Sequence, residues 1–84
     1  MNRTWHKGPP PHIGWWEASV MRQPQVWRWW DGAQWSIAVD SNATGNMAAR
    51  AASSKTALKV NDVEWTDYWP ENARVPRIDP RGTR

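Results

Sequence analysis

Eighty-four residues make one domain at most, with a core near the lower limit for independent folding. The chain has no cysteine and no apolar run near the length of a membrane span, which excludes a disulfide framework, a thiolate metal site and a spanning helix. Its net charge of +3 is uneven: residues 1–12 and 71–84 together carry +4 and the body between them −1.

Leu, Ile, Val and Phe number only ten of 84, a fraction that on its own suggests disorder, but nine tryptophans reverse that reading. The expectation is one Trp-rich domain over residues 13–69, flanked by a Pro-rich strap over 1–12 and a basic, Pro-containing tail over 70–84. Such a core is small enough to be completed by a partner or by self-association. Without a signal-peptide apolar stretch, the reading is a soluble chain in the cytoplasm with no membrane partner.

In chain order, MNRTWHKGPPPH opens the sequence, and Pro9, Pro10 and Pro11 predict a short polyproline II segment. Such a run can be a ligand for an aromatic groove elsewhere. The favoured expectation is a strap on the chain's own sheet, because the chain supplies so many aromatic faces. Residues 13–20 alternate, with Trp16, Ala18 and Val20 on one side and Trp15, Glu17 and Ser19 on the other, which predicts a first strand. Residues 22–25, with Pro24, connect it to a second strand over 26–30, and 33–39 form a third.

Between these two strands stands Trp27 to Trp35, reading WRWWDGAQW, with an Asp31-Gly32 turn. A two-residue loop would put Trp27 and Trp29 opposite Trp35, leaving neither face cleanly apolar. A three-residue loop of Trp30, Asp31 and left-handed Gly32 pairs Trp27 with Trp35. It gathers Trp27, Trp29, Trp35, Ile37 and Val39 on one face and leaves Trp30 near solvent. The segregated pattern is the expectation.

From Ser41 the composition turns helical, with capping candidates Ser41, Asn42 and Thr44 ahead of an alanine-rich run. Met47, Ala48, Ala51, Ala52 and Leu58 share a stripe for packing on the sheet, with Arg50 opposite. Asn61-Asp62 marks a turn. Residues 63–68 suit a fourth strand with Val63 and Trp65 inward, ended by Pro70. Beyond it, Val75 and Ile78 anchor an extended strap whose end frays. The fold class expected is α+β: a small antiparallel three- to four-stranded meander with one short Ala-rich helix and extended Pro-rich terminal straps.

Chemical motifs are missing: there is no phosphate loop, no HExxH and no nucleophile elbow. His6 and His12 are spaced wrongly for one helix face and one metal, and Glu17, Asp31, Asp67 and Glu71 show no spacing that argues convergence. The expectation is therefore no enzyme, no cofactor and no metal.

PPPHIGWW followed by WRWWDGAQWS resembles two short β-modules, each over residues 9–38. One is the WW domain, whose two tryptophans would be Trp15 or Trp16 and Trp35. Ser36, Ile37 and Ala38 stand where that family has a proline, and its paired groove tyrosines are absent. The other is a short bacterial module with a GW, RYWDG, W pattern, matched by Gly14, Trp15, Arg28, Trp29 or Trp30, Asp31, Gly32 and Trp35. The whole chain resembles small orphan proteins of tailed bacteriophages with WHKGPPP, GWW and WRWWDG segments. That resemblance implies action by binding a host protein.

Three functions follow. The first is a protein-binding module for a host or phage protein, such as a host factor or defence system. It would expose Trp15, Trp30 and Trp69 beside Arg28, Arg74 and Arg77, on the ground that so small a domain can hardly bury nine indoles. The second is single-stranded nucleic-acid binding by indole stacking, with Arg22, Arg28, Arg74 and Arg77 on the phosphates. The third is a virion component or self-assembling homo-oligomer whose straps wrap a neighbour.

Overall fold

A computed structural model describes residues 4–40 and 42–69. Four antiparallel strands, β1 (Gly14–Ser19), β2 (Val26–Trp30), β3 (Val39–Asp40) and β4 (Glu64–Thr66), form one sheet in the order β3-β2-β1-β4. Helix α1 (Gly45–Ser53) lies between β3 and β4 in the chain. This is the expected small α+β fold. β1 to β3 are a meander, and β4 returns beside β1 in the Greek-key order. β1 is therefore central, and all six of its residues are buried.

The sheet is covered on both faces. Pairing of Trp15 with Trp29 and of Glu17 with Trp27 sets Trp15, Trp27 and Trp29 on one side. There Ala48, Ala51 and Ala52 of α1 pack against them, and their small side chains let the helix backbone approach a surface of indoles. Trp16, Ala18, Trp30, Trp35, Val63 and Trp65 form a second cluster on the other side. Val63 and Trp65 thus point inward together, as the alternation of residues 63–68 requires.

This two-sided core corrects the expected register. Trp30 pairs with Trp35, so the loop is the four residues 31–34, closed by Asp31 N–H donating to Gln34 O at 3.3 Å. Asp31 Oδ1 accepts from Ala33 N and Gln34 N at 2.7 and 2.8 Å, and Gly32 takes φ +100°, a conformation that favours glycine. Trp35 consequently lies opposite Trp27 and Trp29. Segregation by polarity loses its force once both faces are buried, because either side can then hold indole.

A bulge follows. Trp30 pairs with Trp35, whereas Trp27 pairs with Val39, so Ile37 and Ala38 together face Arg28. Ser36 O accepts from Arg28 Nη1 at 3.0 Å. Ser36 Oγ accepts Trp29 N–H in its place at 2.8 Å, while Ser36 N–H donates to Trp29 O at 2.9 Å.

Thr44 caps α1, its Oγ1 accepting from Met47 N at 3.2 Å. Ala48, Ala51 and Ala52 form the buried stripe as expected, but Met47 and Leu58 do not join it and are exposed. Alanines alone make the contact because a longer side chain would hold the helix off the sheet. The N-terminal strap packs on the chain's own sheet: His6 exchanges backbone hydrogen bonds with Trp65, and Pro10 is buried. Ser41 as a cap, Pro70 as a strand stop, and the Val75 and Ile78 anchors lie outside the described residues.

Candidate functional site: the loop between β1 and β2

Of the three indoles expected at the surface, Trp15 and Trp30 are interior and Trp69 is half-buried. Trp15 is 0% exposed and Trp30 4%, each within one of the two clusters. Seven of the nine tryptophans are at most 9% exposed, and Trp5 and Trp69 are half-buried. Trp69 packs edge-on against Trp27, with ring centroids 5.1 Å apart. A sheet covered on both faces holds indole in two clusters rather than one, which leaves only Trp5 and Trp69 half-exposed.

Arg28 is half-buried and tied to Ser36 O; its Nε is buried without a hydrogen-bond partner. Desolvation lowers its pKa from the ordinary arginine value. It faces the bulge, on the same side of β2 as the buried Trp30. Arg74 and Arg77 lie outside the described residues.

What does reach solvent is aliphatic. Residues 20–25, connecting β1 to β2, are all exposed, and among the described residues Met21 at 77% is the most exposed large apolar side chain, next to Val20. Two non-glycine residues of this loop, Arg22 at φ 56° and Gln25 at φ 61°, are left-handed. Each costs about 1–2 kcal/mol and persists only because its surroundings hold it there.

The holding contacts are visible. Gln25 N–H donates to Oε2 of the buried Glu17 at 2.8 Å, and Met21 N–H to Ser19 Oγ at 3.2 Å. Arg22 grips Glu64 of β4 with both ends of its fork, Nε to Oε2 at 2.7 Å and Nη2 to Oε1 at 3.1 Å. That hydrogen bonding, with Coulomb attraction behind it, raises the Arg22 pKa and lowers that of Glu64. The arrangement is a loop tied by three side chains that carries an exposed methionine. Sequence reasoning read residues 22–25 as a connection and Arg22 as a phosphate contact; Arg22 is instead paired with Glu64. The available signal was two adjacent apolar residues, Val20 and Met21, running past the end of an alternating strand into a polar turn.

Charge distribution adds a second fact. The described residues hold six Lys and Arg (Lys7, Arg22, Arg28, Arg50, Lys55, Lys59) against six Asp and Glu (Glu17, Asp31, Asp40, Asp62, Glu64, Asp67), so the whole +3 resides in residues 1–3 and 70–84. Lys55 Nζ is 3.2 Å from Asp31 Oδ2. Among the described residues no three His, Cys, Asp or Glu come together to hold a metal, and no helix is long and apolar enough to cross a membrane. No protein-family model, curated protein or solved structure matches the chain.

Proposed function

We propose that the chain is a non-enzymatic protein-binding module, acting on a host or phage protein, that meets its partner through the loop of residues 20–25. The carrying observation is Met21, 77% exposed on a loop pinned in a strained conformation by Glu17, Ser19 and Glu64. Methionine adapts to irregular apolar pockets, and a loop ordered beforehand loses little entropy on docking. Backbone strain maintained by three separate side chains, with an apolar residue presented at the tip, is better accounted for by contact than by folding. Stacking of nucleic-acid bases has less support, since it needs exposed indole faces and the described body is neutral overall.

The test compares Met21→Asp with Met47→Asp, a control at another exposed methionine. Both variants should keep wild-type stability to within about 0.5 kcal/mol. Affinity capture from a bacterial lysate should recover a protein with the wild type and the Met47 variant that the Met21 variant loses. Identical captured sets for all three would end this reading.

A further inference from the structure

The loop of residues 20–25 shares its end of the sheet with two other elements. Ser19 pairs with Glu64 across β1 and β4, which sets the Glu64 carboxylate at the foot of the loop. On the outer side of β4, His6 and Trp65 exchange main-chain hydrogen bonds at 2.8 and 2.9 Å in an antiparallel bridge. That register carries the next residue of the strap, Lys7, alongside Glu64. Two cations remote in sequence, Lys7 and Arg22, are thereby brought to one carboxylate.

The two cations stand differently toward it. Arg22 uses Nε and Nη2 on Glu64, at 2.7 and 3.1 Å, and its Nη1 has no partner among the described residues. Its side chain is 60% exposed and that of Glu64 only 12%, so the guanidinium covers the carboxylate and faces solvent. Lys7 is exposed, with no hydrogen bond or ion pair among the described residues. Hydrogen bonding from Arg22 leads in lowering the Glu64 pKa, and Coulomb attraction to Arg22 and then to Lys7 adds to it. Asp62, the neighbouring carboxylate in sequence, accepts from Lys59 N at 3.2 Å.

One covered carboxylate against two exposed cations leaves positive charge beside an apolar pair, Val20 and Met21. An arginine fixed along one edge by an internal carboxylate keeps its other N–H groups for a second one, already oriented. Arginine and a large apolar side chain held together in advance are what a contact hot spot needs.

The geometry points to a docking surface of Val20, Met21, Arg22 and Lys7 whose partner is a protein segment carrying an aspartate or glutamate beside an apolar side chain. Met21 takes the apolar contact, and the partner's carboxylate meets Arg22 and Lys7. The inference rests on the reading of the loop as the contact and adds the chemistry of what the loop meets. A phosphate would answer the same cations but has no use for the methionine.

The test immobilises the full-length chain and its Lys7→Glu, Lys7→Arg and Met21→Asp variants and captures from a bacterial lysate. The protein that Met21→Asp loses should be held about fivefold less tightly by Lys7→Glu and as in wild type by Lys7→Arg. A water-soluble carbodiimide, which joins amines to carboxylates in contact, should link Lys7 to an aspartate or glutamate of that protein. Equal retention by Lys7→Glu, or no link from Lys7, would overturn the acidic partner; the loop reading stands if Met21→Asp still loses the protein. A link to a second copy of this chain would overturn it in favour of self-association, and release by nuclease in favour of nucleic acid. Capture indifferent to Met21→Asp would remove both readings together.

Discussion

Ser36→Ala tests the bulge that fixes the sheet's register. Ser36 is fully buried, and its Oγ both accepts Trp29 N–H at 2.8 Å and donates to Ile37 O at 2.9 Å. Removing it leaves a main-chain donor of β2 without an acceptor, at about 1–3 kcal/mol for an unsatisfied buried group. Ile37 is exposed, so its carbonyl loses less. A total of about 2–3 kcal/mol corresponds to a Tm lower by about 10–20 °C in a domain this size. Urea denaturation followed by tryptophan fluorescence measures it.

The same substitution in an Arg28→Met background sharpens the test. Without Arg28 Nη1, the carbonyl of residue 36 is free to turn back and accept Trp29 N–H, so the cost should fall to about 1 kcal/mol. A loss under about 0.5 kcal/mol in the wild-type background, or strict additivity with Arg28→Met, would refute the role given to Ser36.

Two further outcomes follow from the turn at residues 31–34. Gly32→Ala should cost about 1–2 kcal/mol, because φ +100° is strained for any L side chain even though its Cβ would meet Ile13 only at an ordinary 3.6 Å; urea midpoints read this directly. Burial raises the Asp31 pKa, but the N–H groups of Gln34 and Ala33 and the Lys55 ammonium together outweigh it, so the carboxyl is held below its ordinary value. A folded pKa below the unfolded one means the contribution is complete above about pH 4 and is lost as pH falls through the folded value. Asp31→Asn should therefore be less stable than wild type at neutral pH, with the gap closing as the carboxyl protonates in acid, as paired urea titrations would reveal.

Alternation in GWWEAS and EWT and the Asp31-Gly32 turn made β1, β2 and β4 legible, and the alanine run before Ser53 made the helix so; the third strand expected over 33–39 is instead only Val39–Asp40, because the bulge interrupts the pairing ahead of it. Thr44 was among the caps expected, and the strap of prolines packs where the abundance of indole suggested. Register was not legible, because the pattern argument assumes one wet face. Trp35 on the wrong side of Trp27 is what that assumption produces when both faces are covered. The bulge at Ile37 and Ala38 carries no glycine or proline to announce it; it arises from Ser36 O turning to Arg28. Likewise Arg22 and Gln25 are left-handed without being glycine or asparagine, so the loop could not be distinguished from an ordinary turn. The sites placed on Trp15 and Trp30 failed for the same reason as the register: the capacity of a two-sided sheet for indole was underestimated.

The central claim is that tryptophan makes the inside of this protein and that its contact surface is aliphatic. Titration of the native chain with N-bromosuccinimide, followed by mass spectrometry of the oxidised sites, tests it most directly. Rapid oxidation should be confined to Trp5 and Trp69, the two half-buried rings, with the remaining seven of nine reacting only on unfolding. Prompt oxidation of Trp15 and Trp30 in the folded chain would contradict the account and return the indoles to the surface.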